Sequence, residues 1–170
     1  LNASVEKINS DSLAALTVFT PGNFSDRISC DIGDIDYFLS MDITTGEFSG
    51  FITYKDCRIA GLSLAGTTDI TGVYDRGGQQ FLEIGFDFPW LRAEAGEMDY
   101  LASGIVDTQF SETTVTTLRD HAVIIDGRET VKFEFFALEL NEATANPTLT
   151  LSGRFYQPDN GFVTVSNALP

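Results

Sequence analysis

The sequence predicts an all-β fold, an antiparallel meander of nine or ten strands forming a barrel or a two-sheet sandwich. Three stretches carry this expectation. Ile35, Tyr37, Leu39, Met41 and Ile43 alternate with Asp34, Asp36, Phe38, Ser40 and Asp42. Leu82, Ile84, Phe86 and Phe88 alternate with Phe81, Glu83, Gly85 and Asp87, and Leu149, Leu151, Gly153 and Phe155 with Thr148, Thr150, Ser152 and Arg154. Successive strand side chains point to opposite faces, so this period marks a sheet with one apolar and one wet face. That habit belongs to antiparallel sheets, since parallel sheets are covered on both sides.

The elements follow in order. Residues 1–15 form a polar N-terminal segment, in which Asp11-Ser12 ahead of Leu13-Ala14-Ala15-Leu16 suits a short capped turn. Residues 16–170 read as one all-β domain, an ordinary length for such a fold. Leu16 to Phe19 is a short strand stopped by Pro21-Gly22. Asp34 to Ile43 turns at Thr44-Thr45-Gly46-Glu47 into Phe48 to Lys55. Leu62 to Tyr74 is a long strand in which Gly66 and Gly72 mark bulges or a bend. After the turn Asp75-Arg76-Gly77-Gly78, Gln79 to Phe88 forms a strand that ends at Pro89. Met98 to Asp107 is next, and Thr113 to Leu118 with His121 to Ile125 make two pieces or one bent strand.

Asp126-Gly127 is the strongest turn signal, because a tight type I′ hairpin needs positive φ at both central residues. It leads into Val131 to Leu140, where the apolar phase flips. Val131, Phe133 and Phe135 share one parity, and Phe136, Leu138 and Leu140 the other. A one-residue slip moves a whole apolar set across the sheet, so a bulge near Phe135-Phe136 is the natural repair, with cover on both faces as the rival explanation. Thr148 to Tyr156, a turn at Pro158-Asp159-Asn160-Gly161 and a return through Phe162 to Ser166 complete the meander.

Charge and motif content exclude several functions. With 25 acidic against 10 basic residues the net charge is −15, and Arg27, Arg58, Arg76, Arg92, Arg119, Arg128 and Arg154 stand singly along the chain. A polyanion without a basic stripe repels phosphate, so no nucleic-acid partner is expected, and anionic membrane surfaces are disfavoured likewise. No apolar run approaches the roughly 18 residues of a membrane-spanning helix. The single histidine, His121, reads as a surface residue and rules out a zinc site built from several imidazoles of one chain. Ser4-Val5-Glu6-Lys7 matches S-x-x-K without the companion elements of a penicillin-binding site. Asp31, Asp34 and Asp36 lack calcium-loop spacing and read as a polar strand face. Glu83 and Asp87 lie roughly 13 Å apart along one strand face, too far for a glycosidase pair. No cofactor, metal or catalytic constellation is expected.

Cys30 and Cys57 lack metal-ligand or redox spacing. Two readings remain, free buried thiols in a cytosolic protein or one disulfide in an exported protein; the expected closeness of their strands favours the disulfide, closing a loop of about 28 residues worth roughly 3.6 kcal/mol. The chain begins at Leu1 rather than Met, which reads as a trimmed mature form from which an export signal, and a lipid-anchor segment upstream of Leu1, have been removed.

Phe88-Pro89-Trp90-Leu91-Arg92 places the sole tryptophan beside an arginine after a strand end, and Trp and Arg dominate binding hot spots. Trp90 and Arg92, with Tyr74 and Tyr100, are the expected ligand-binding residues. The partner is another protein, or a small apolar or carbohydrate ligand.

Tyr54-Lys55-Asp56-Cys57 before a strand, together with the ending from Leu151-Ser152-Gly153-Arg154-Phe155-Tyr156 through Gly161-Phe162-Val163-Thr164-Val165-Ser166, resembles segments of exported proteobacterial β-rich proteins and lipoproteins of unassigned function. The resemblance covers about a quarter of the chain. It implies a periplasmic, outer-membrane-associated or secreted place and carries no catalytic residues. The expected function is a non-catalytic interaction or structural module, with a small-ligand-binding β-domain as the alternative.

Overall fold

The computed structural model describes residues 22–111, 113–127, 129–141, 147–158 and 161–166. Ten strands form one antiparallel sheet in sequence order: β1 Gly22–Ser29, β2 Ile32–Met41, β3 Glu47–Ile59, β4 Leu62–Asp75, β5 Gln80–Ala95, β6 Met98–Gln109, β7 Thr113–Ile125, β8 Glu129–Asn141, β9 Thr148–Gln157 and β10 Gly161–Ser166. The described pairings do not close it into a barrel: β1 pairs with β2 alone and β10 with β9 alone. The expected N-terminal segment, the Leu16–Phe19 strand, the S-x-x-K match and the Asp159-Asn160 turn lie outside the described residues.

Period-2 chemistry propagates across the ladder because residues paired in register share a face. Ile35, Tyr37, Leu39 and Met41 of β2 face Tyr54, Ile52, Gly50 and Phe48 of β3. Phe48 and Gly50 face Gly72 and Ile70 of β4, which face Ile84 and Phe86 of β5. These residues build the core: Leu39, Met41, Phe48, Ile70 and Ile84, with Tyr74, Phe81 and Phe86 packed against them. The same apolar face runs on through Val106, Leu118, Phe136, Phe133 and Phe155. There, cover is thinner, and no described side chain of β6–β10 is fully buried.

Bulges keep the apolar set on one face. At Phe135 the backbone turns to φ 47° and the β8–β9 register shifts between Glu134 and Ala137, the expected repair of the flipped phase. Gly153 lies opposite, where a Cβ would stand 2.5 Å from the Cα of Phe136. Asp120 (φ 48°) repeats the device in β7, which is one bent strand, opposite Gly104. Asp126 and Gly127 have φ 49° and 65°, as the tight turn requires.

Two expectations are corrected. Pro89 does not end its strand, because β5 continues to Ala95. The registers shift between Phe88 and Leu91 against β6 and between Thr67 and Asp69 against β4. Proline has no N–H for the ladder, and a bulge accommodates that missing donor without breaking the strand. Trp90 therefore lies within a strand, not on a strand-end loop. His121 is also not a surface residue. Its ring is half-buried between Phe88 and Phe133, with centroids 5.4 and 5.6 Å away, and its Nδ1 is buried without a hydrogen-bond partner. Burial lowers its pKa below the usual 6.5.

Candidate functional site

The four expected ligand-binding residues divide between the two faces. Trp90 pairs with Thr67, and Arg92 lies between Ala65 and Leu101, all on the polar face. Tyr100 lies between Ala93 and Ile125, and Tyr74 opposite Phe81, both on the apolar face. Tyr74 packs edge-on to Phe81 at 5.1 Å and also borders a shallow hollow beside the Thr44–Gly46 and Asp75–Gly77 turns. Tyr100 donates from its hydroxyl to Met98 Sδ at the opposite end of the strands. Twelve residues of β5 separate their partners Phe81 and Ala93, about 40 Å along the sheet. These tyrosines therefore do not form one site with Trp90 and Arg92.

Trp90 and Arg92 do belong together. They stand two residues apart on one strand face, beyond the Pro89 bulge that brings Trp90 onto the polar side. Trp90 is 49% exposed, and Leu101, the register partner of Arg92, is exposed too. Leu101 in turn pairs with Ile124, so Trp90, Leu101 and Ile124 lay an apolar strip across an otherwise polar face. Sequence reading missed Leu101 and Ile124. Their neighbours Ser103 and Ala122 give no alternation strong enough to single them out.

Arg92 is held in place. Its Nε and Nη2 donate to the two Asp99 carboxylate oxygens at 2.9 Å each, and Nη2 also meets Glu94 Oε1 at 2.9 Å. The hydrogen bond and charge of Asp99, with Glu94, raise the pKa of Arg92, and the Arg92 hydrogen bond lowers that of Asp99. Asp99 is braced by the Asp126-Gly127 turn: its N–H donates to Asp126 Oδ1 at 2.9 Å, and the Asp126 N–H donates to its carbonyl at 2.7 Å. Forked pairing of this kind fixes orientation more than it stabilises an exposed surface.

Beside Arg92 the polar face sinks into an open cleft of about 410 Å³ lined by Ile32, Asp56, Arg58, Ser63, Ala65, Arg92 and Glu94. Its shape has a local cause. Asp56 takes φ 50° at a register shift between Tyr54 and Cys57, and Gly33 (φ 75°) makes the matching irregularity in β2. A Cβ on Gly33 would stand 2.1 Å from the Lys55 carbonyl oxygen. The Cys30–Cys57 disulfide, with Cα atoms 5.4 Å apart, ties the β1–β2 turn to β3 at this point, as expected from sequence. Arg58 makes no ion pair among the described residues, so the cleft offers a cation, a hydroxyl and two carboxylates beside the Trp90–Leu101 strip.

The acidic cluster of β2 is occupied by the chain's own cations. Asp36 accepts from Arg27 and from Lys55, whose hydrogen bonds lower its pKa to about 2, and Asp34 stands 3.9 Å from Arg27. Among the described residues, no group of three His, Cys, Asp or Glu side chains is arranged to hold a metal, and no helix is long and apolar enough to cross a membrane. Comparison with protein-family models, with curated proteins and with solved structures returns no match.

Proposed function

We propose that this chain is an extracytoplasmic, non-catalytic interaction module whose binding surface is the Trp90–Arg92–Leu101 strip and the adjoining cleft. The observation that carries the reading is the half-exposed Trp90 on a rigid strand, next to an arginine already locked by Asp99 and Glu94. Aromatic and arginine side chains held without mobile loops lose little entropy on binding, which is why they anchor interfaces. The disulfide is compatible with a periplasmic, outer-membrane-associated or secreted place.

A small-ligand reading has its own support. An indole face beside hydrogen-bonding Arg, Ser and carboxylate groups suits a carbohydrate. The thinly covered apolar face of β6–β10 suits an apolar ligand, or a further curl of the sheet into the expected barrel or two-layer form. Fluorescence separates these, since Trp90 is the sole tryptophan. Red, acrylamide-quenchable emission that shifts on adding oligosaccharides supports the carbohydrate. A shift only with a protein partner, lost in Leu101→Ser, supports the module. Blue, unquenchable emission would remove Trp90 from any binding surface.

A further inference from the structure

The last strand is built differently from the rest of the sheet. β10, Gly161-Phe162-Val163-Thr164-Val165-Ser166, has no charged residue, no proline and no register shift along its pairing with β9. Among the described residues it pairs on one side only, so no described strand takes up the backbone N–H and C=O groups of its other side. Edge strands of monomeric proteins are ordinarily guarded by charges, prolines or bulges. The opposite edge obeys that rule: β1 carries Asp26 and Arg27, the latter engaged with Asp36. Large apolar side chains also gather at the β10 end. Phe135 is 70% and Phe162 56% exposed, and Leu149 and Val163 are exposed as well.

We infer that β10 is a self-association edge, pairing antiparallel with β10 of a second copy about a two-fold axis at Thr164. Electrostatics selects this edge. Copies of a −15 protein repel one another, least so where no acid is present. β9 and β10 together carry one charge, Arg154, which is matched by Glu134 of β8. Face parity selects the register. Opposed residues in an antiparallel pair share a face. Val163 and Val165 continue the apolar face of Phe155 and Phe133, while Thr164 stands beside Arg154 on the polar face. Pairing about Thr164 sets Val163 of one copy against Val165 of the other and Thr164 against Thr164. It engages Phe162 through Ser166, five of the six residues, and joins the two apolar faces into one. A two-fold pairing is isologous and closes at a dimer, whereas β10 on β1 of another copy would grow an open chain. This inference stands apart from the reading of Trp90, which lies on β5.

Sedimentation of the full chain from micromolar to hundreds of micromolar tests it. The wild type should pass from monomer to dimer, more tightly at high salt, where repulsion is screened. Thr164→Lys and Thr164→Glu each set like charges against each other across the axis and should weaken the dimer by about five- to tenfold. Thr164 is exposed, so both variants should keep the wild-type circular dichroism spectrum. Mixing the two should restore wild-type association or better, because Lys then meets Glu. A monomeric wild type, variants that dimerise unchanged, a mixture that fails to recover, or species larger than dimers would each overturn the inference.

Discussion

Breaking the Cys30–Cys57 bond should cost the chain roughly 3.6 kcal/mol of stability. The bonded residues are 27 apart in sequence, so the bond closes a loop of about 28 residues. On the chain-entropy model this removes about 12 cal/mol/K from the unfolded ensemble, or roughly 3.6 kcal/mol at 25 °C. The surroundings are also held by backbone hydrogen bonds that do not involve the sulfur atoms. The Asp31 N–H donates to the Arg58 carbonyl at 2.9 Å, and the Cys30 N–H to that of Gly33 at 3.1 Å. Urea denaturation with and without reductant is the assay, with thiol content checked by mass. At roughly 2 kcal/mol per M urea, the midpoint should fall by roughly 1.5–2 M. The double variant Cys30→Ala, Cys57→Ala should lose about 1 kcal/mol more, because Cys57 is 1% exposed and its sulfur fills core volume. Hydrogen exchange should rise first in β1, which among the described residues keeps only its ladder to β2. An unchanged midpoint in verified reduced protein would refute the loop-entropy reasoning.

Other outcomes follow from single positions. Gly127→Val meets nothing within 4 Å, yet it forces a β-branched residue to φ 65°, so a loss of about 1–3 kcal/mol in denaturation would be purely a backbone effect. Ile70→Ala, at a side chain 1% exposed in the centre of the core, should cost about 2–5 kcal/mol. His121 titrates below 6.5 when folded, so the unfolded chain binds the extra proton first. Stability should therefore fall as pH drops below 6.5, and His121→Leu should flatten that slope in thermal melts across the same range. Asp36 works in the same direction at lower pH. Its stabilisation is present above 3.8 and lost as pH falls toward 2, a loss that Asp36→Asn should remove from an acid titration.

Much of the fold was legible because strand chemistry is local. Alternation located β2, the first half of β5 and β9, Asp126-Gly127 declared its turn, and the flipped phase at Phe135-Phe136 pointed to its bulge. β1 escaped notice because only Phe24 and Ile28 are large and apolar in Gly22–Ser29, as suits an edge strand paired on one side. The far half of β5 escaped because Pro89 reads as a stop.

Sequence by itself determined the class, the meander and the closeness of Trp90 to Arg92, and it favoured the disulfide over free thiols, which the structure then gives. Only the tertiary structure decided which residues share a face. Each bulge reverses side-chain parity beyond it, and whether a strand bulges or ends depends on its neighbours' hydrogen bonds, which no local pattern contains. Trp90 and Arg92 thus stand on the polar face with Leu101, while Tyr74 and Tyr100 lie on the apolar face at opposite ends of the sheet. The same non-local pairing leaves β10 as an uncharged edge among the described residues, because a strand becomes an edge where no second neighbour pairs with it.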